Sequence, residues 1–118
     1  MPVVKVWGLP ADISEDTLRA IHKSIVAATM SVEEFGVTDE KSMTTLFPKD
    51  MMTYGLGTEI IIEVLSRRSA KVRPVTRDRL AAILVSAVCP FFPDAMVECL
   101  ILPFREEDGF FHLAGTRS

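Results

Sequence analysis

DTLRAIHKSIVAAT, residues 16–29, and DRLAAILVSAVCPF, residues 78–91, read as one helix written twice. At a constant offset of 62 they pair Leu18 with Leu80, Ile21 with Ile83, Ser24 with Ser86 and Val26 with Val88. In the first copy Leu18, Ile21, Ile25 and Ala28 recur at helical spacing, and in the second Leu80, Ile83, Leu84, Ala87 and Val88 form the apolar stripe. The spacing predicts a first helix starting near Ser14, with Glu15 and Asp16 at its positive end, and a second capped by Thr76 with Asp78 in its first turn. PFFPD stops the second copy.

Around each helix lie two strand-like runs. Val3–Trp7 precedes the first helix, and a short run near Met43–Phe47, ended by Pro48, follows it. EIIIEVL (Glu59–Leu65) precedes the second, and Met96–Leu102, ended by Pro103, follows. The segments after the second strand of each half also rhyme, YGLGT at 54–58 against FHLAGT at 111–116. The chain therefore reads as a single domain, 1–118, built from two tandem β-α-β repeats, 1–58 and 59–118. Right-handed crossovers make the strands of each unit parallel. Joined edge to edge, the units form a four-stranded mixed sheet of the α+β class with both helices on one face. VVKVW and IIIEVL scarcely alternate, so the second face is apolar too and calls for a partner, most simply further copies of the same chain.

Composition sets the outer limits. A chain of 118 residues supports one modest core, and 48% hydrophobic residues is rich for a small monomer, which again points to self-association. A net charge of −3 leaves no basic footprint for nucleic acid, the one cluster of cations being SRRSAKVR at 66–73. No apolar stretch approaches the roughly 20 residues of a membrane span, and the start lacks the pattern of a signal peptide, so a cytoplasmic protein is expected. Cys89 and Cys99 read as small buried hydrophobes with no disulfide framework. No metal-ligand spacing, phosphate-cradling glycine loop or serine nucleophile elbow occurs, and neither a metal nor a cofactor is expected.

The chain opens MPVVKVWGLP, a proline ahead of a strand. A first-position proline is tolerated there because its missing N–H falls outside the ladder. With Met1 removed, Pro2 would instead present a secondary amine at the sheet, and such a nitrogen can act as a base. Pro2, the tandem β-α-β units and the aromatic–glycine turns at Tyr54 and Phe111 together resemble the tautomerase superfamily, whose members include 4-oxalocrotonate tautomerase, macrophage migration inhibitory factor, cis-3-chloroacrylic acid dehalogenase and malonate semialdehyde decarboxylase. The resemblance covers nearly the whole chain. It implies a homotrimer of double-length chains in which the amino-terminal proline is a general base, or a general acid in the hydrolytic members.

Physical chemistry supplies the rationale. An α-amino group ordinarily titrates near about 8, and burial and nearby cations both disfavour its protonated form, leaving it basic at neutral pH. The enolate formed by proton removal beside a carbonyl needs positive charge placed in advance. Arg67, Arg68, Lys71 and Arg73 supply it, in the region where the resemblance places arginines for the substrate carboxylate: Arg67 or Arg68 answers to the first of them and Arg73 to the second. A solvated basic loop is the bland alternative. The resemblance puts Asp39 where the decarboxylases keep a water-directing acid, although a surface turn explains an aspartate in GVTDEKS equally well. It also makes Tyr54 an apolar lining residue of the pocket, with Phe111 as its repeat mate; packing between subunits is the alternative. Two arginines of the short tautomerases are replaced here, one by LPADIS and one by Thr44. His22 reads as a partly buried, hydrogen-bonded side chain, and His112 is unassigned. These observations favour a cofactor-independent isomerase acting on a small carboxylated keto or enol compound. A decarboxylase or hydrolytic dehalogenase, and a non-catalytic trimer of the same fold, are the competing readings.

Overall fold

The structure is a computed structural model and describes residues 2–49, 58–105, 107 and 114–115. The elements follow the expected order: β1 (Val3–Trp7), α1 (Glu15–Met30), β2 (Thr44–Leu46), then β3 (Glu59–Arg67), α2 (Pro74–Val88) and β4 (Met96–Phe104). They build one four-stranded mixed sheet ordered β2-β1-β3-β4. Within each unit the strands are parallel, and the units meet through the antiparallel pair β1–β3, with Val3 opposite Leu65 and Trp7 opposite Ile61.

The two faces differ by alternation. Val4 and Val6 of β1 and Ile60, Ile62 and Val64 of β3 are fully buried under the helices. Ile21 and Ile25 of α1 and Leu80, Leu84 and Val88 of α2 complete this core, with Leu18 and Ile83 packed half-buried against it. On the opposite face Trp7, Leu46, Met96, Leu100 and Leu102 are exposed. At its centre Lys5 and Glu63, direct partners in the ladder, stand 3.9 Å apart as an ion pair.

Three local features depart from the sequence reading. Ser14 does cap α1, its hydroxyl accepting the Thr17 N–H at 3.1 Å, but α2 begins at Pro74, ahead of Thr76. Proline suits the first helical turn, where its missing N–H is no loss, and Thr76 turns into the core instead. β4 continues through Pro103 to Phe104, which an edge strand permits because one side of its backbone has no partner. Finally, the helices start 59 residues apart, at Glu15 and Pro74, and the buried positions follow that offset: Ile21 with Leu80, Ile25 with Leu84, Thr29 with Val88. The sequence match at 62 lies nearly one helical turn away, where neighbouring apolar residues share a face and imitate the true register.

Candidate active site at the start of the central strand

Pro2 is buried at the head of β1. Its carbonyl accepts the Thr44 N–H at 3.1 Å, so this carbonyl turns toward β2. The β1–β3 ladder sets Val3 against Leu65, and its next step sets Pro2 against Ser66. Because the Pro2 carbonyl is given to the other neighbour, this is a non-hydrogen-bonded pair, the kind in which side chains approach most closely. On the other flank the parallel register places Met43, which is buried, beside Pro2.

Arg67 and Arg68 follow Ser66 directly and are exposed. The Arg68 N–H donates to the Phe104 carbonyl at 2.6 Å, holding the chain beyond β3 against the end of β4. The topology therefore brings Pro2 and two of the three candidate arginines to one end of the sheet. Arg73 has a different setting. It occupies the cap position of α2, and its charge acts on Glu34 in the short turn after α1. Backbone hydrogen bonding at Glu34, the Arg79 guanidinium and Arg73 hold the Glu34 carboxyl below its ordinary range, against an opposing desolvation. Nη2 of Arg79 lies 2.8 Å from both Glu34 carboxylate oxygens, tying the turn after α1 to α2.

Asp39 lies in the turn leading to β2, where its carboxylate accepts the Lys41 N–H at 2.8 Å and the Ser42 hydroxyl at 3.2 Å. It thus serves as the cap of that turn. Tyr54, Phe111 and His112 lie outside the described residues. His22 is partly buried, with Nε2 3.5 Å from Glu40 Oε2. Cys99 packs against the core, where desolvation pushes its thiol up to about 12; Cys89, expected inside, is exposed at the end of α2, because the helix turns that position outward. Among the described residues no three His, Cys, Asp or Glu side chains converge as a metal site. Nor is any described helix long and apolar enough to cross a membrane.

One residue beside Pro2 escaped the sequence reading. Ser66 is 3% exposed, and its Oγ has no hydrogen-bond partner among the described residues. The signal was present in the alternation of β3, where Ile60, Ile62 and Val64 point inward and Ser66 is the next inward position. A polar residue at an inward strand position asks for a partner.

No protein-family model and no curated protein matches the sequence. Solved structures do match its fold. A protein of unknown function from Vibrio cholerae O1 biovar eltor aligns with a TM-score of 0.68 at 14% identity, over 99% of this chain and 87% of the other. A member of the cis-3-chloroacrylic acid dehalogenase family aligns at 0.66 and 13% identity, over 99% and 80%. A fused 4-OT, described as a wild-type asymmetric trimer, aligns at 0.65 and 16% identity, over 98% and 94%. The chain shares the fold of these proteins, with two β-α-β units in one polypeptide.

Proposed function

We propose that the chain is a cofactor-independent tautomerase or isomerase, in which Pro2 is the general base once Met1 has been removed, acting on a small carboxylated keto or enol substrate. The observation that carries this reading is the convergence of a buried Pro2 with Arg67 and Arg68 at one end of the sheet, set by the antiparallel register of β1 and β3. Removal of Met1 converts an amide nitrogen into a secondary amine. Burial beside Met43 and the positive charge that follows Ser66 both disfavour its protonated form, which keeps it ready to accept a proton near neutral pH. A guanidinium then grips the substrate carboxylate and stabilises the enolate as the α-carbon loses its proton. Arg67 and Arg68 suit this role better than Arg73 because they directly follow Ser66, the residue opposite Pro2, whereas Arg73 stands at the cap of α2. The capping role of Asp39 favours simple proton transfer over chemistry in which that carboxylate directs water. The apolar open face of the sheet is buried in a homotrimer, and the cytoplasm is the proposed compartment.

The test is ketonisation of phenylenolpyruvate by protein prepared to begin at Pro2. Pro2→Ala, and protein retaining Met1, should lose turnover while keeping their circular dichroism, because neither presents the proline amine. Full activity in both would remove Pro2 from the chemistry.

A further inference from the structure

We propose that Ser66 is the positioning residue for the Pro2 amine, its Oγ–H donating to the nitrogen lone pair once Met1 is gone. The proposal rests on the reading of Pro2 as the working amine. Buried hydroxyls almost always have a partner, since a buried donor left unpaired bears its full desolvation penalty. Ser66 is buried and its hydroxyl has none among the described residues. Its neighbours along the inward face are Val64 on its own strand and Pro103 on β4, neither with a side-chain acceptor. Across the ladder stands Pro2.

The chemistry of that nitrogen depends on Met1. In an X–Pro peptide bond the nitrogen carries no hydrogen and its lone pair is delocalised into the carbonyl, so it neither donates nor accepts. Cleavage of the bond creates a secondary amine beside a hydroxyl that lacks an acceptor among the described residues. The Cβ atoms of a directly opposed pair stand roughly 4.5–5.5 Å apart, which sets the Ser66 side chain beside Pro2. The other buried hydroxyl without a partner among the described residues, Thr45 Oγ1, lies beside Val4, where removal of Met1 creates no new acceptor.

Donation to the neutral amine stabilises the uncharged form and so holds its pKa down. The charged groups on the adjoining elements are Arg67 and Arg68 after β3, Asp39, Glu40 and Lys41 in the turn before β2, and Arg73 and Arg77 at the start of α2; Lys5 and Glu63 pair on the opposite face. All are present in both wild type and Ser66→Ala, so the difference between the two proteins isolates the hydroxyl.

The experiment uses full-length chain beginning at Pro2, labelled with 15N-proline, and follows the Pro2 nitrogen by NMR through a pH titration. Ser66→Ala should raise the amine pKa by about half to one unit, the scale of one hydrogen bond. Thr45→Val should leave the titration in place. The acidic limb of kcat/KM for phenylenolpyruvate should move upward with the amine. An unshifted or lowered pKa in Ser66→Ala overturns the proposal. If that happens while Pro2→Ala still loses turnover, the general-base reading survives without Ser66. If the titration shifts but Pro2→Ala remains fully active, the contact stands and the general-base reading falls.

Discussion

Gly8→Ala separates conformational strain from steric conflict at the junction of the two repeats. Gly8 ends β1 with φ +85°, and an added Cβ would stand 2.1 Å from the carbonyl oxygen of Glu59, the first residue of β3. Left-handed backbone at a residue with a side chain costs about 1–2 kcal/mol. The obstructing atom is backbone, so no side-chain rotation relieves it, and β3 must shift where Ile60 begins the core. Overpacking of this kind adds about 1–3 kcal/mol, for a total of roughly 2–5 kcal/mol. Gly36→Ala is the matched control: its φ is +70°, but a Cβ there meets nothing within 4 Å, so only the conformational cost applies. Urea unfolding of both variants, at one protein concentration because association adds to apparent stability, measures the difference directly. The steric part should appear as an excess of about 1–3 kcal/mol for Gly8→Ala over Gly36→Ala. If the two variants agree within about half a kcal/mol, β1 and β3 do not meet at Gly8 as described.

Leu84→Ala, at a fully buried position of α2, should lose about 2–5 kcal/mol in the same urea assay. Replacing the arginine that holds the substrate, Arg67 or Arg68, by alanine should lower kcat/KM for phenylenolpyruvate by about two to three decades, and lysine should not restore it, since a point charge lacks the planar fork. The Cys99 thiol, raised from 9.0 to about 12 by desolvation, keeps its proton in the folded state while the unfolded chain releases one, so stability should fall as pH rises above 9.0; Cys99→Ala should remove that contribution. With a thiol reagent at pH 8, exposed Cys89 should react quickly and Cys99 only as the protein opens. Light scattering should return a mass three times that of the chain; a monomer at micromolar concentration would leave the apolar sheet face without its proposed cover.

Much of the fold was legible because its determinants are local. The period of the apolar residues distinguishes helix from strand, Ser14 announces the start of α1 through a hydroxyl three residues from the N–H it caps, and the order β-α-β twice over implies parallel strands within each unit. Pro2 was legible as a candidate for the same reason, a residue type with special chemistry at a recognisable place. The Arg67–Arg73 cluster was legible as charge, but its division was not, because what separates Arg68 from Arg73 is position in the fold: the backbone of Arg68 is held against the end of β4, while Arg73 stands at the cap of α2.

What needed the tertiary structure is whatever depends on register between distant segments. Adjacent turns of an apolar helix resemble each other, so only packing against the sheet could choose an offset of 59 over 62. Thr76 resembles a cap in isolation, yet the core takes it inward and leaves the first turn to Pro74. Pro103 reads as a terminator until β4 is known to be an edge strand, where a missing N–H need not break a ladder. Ser66 is one polar residue in an apolar strand by sequence, and a candidate partner of Pro2 only through an antiparallel ladder joining residues more than sixty apart. Local periodicity determined which elements form; long-range pairing decided which side chains they bring together, because no local pattern encodes the residue across the ladder.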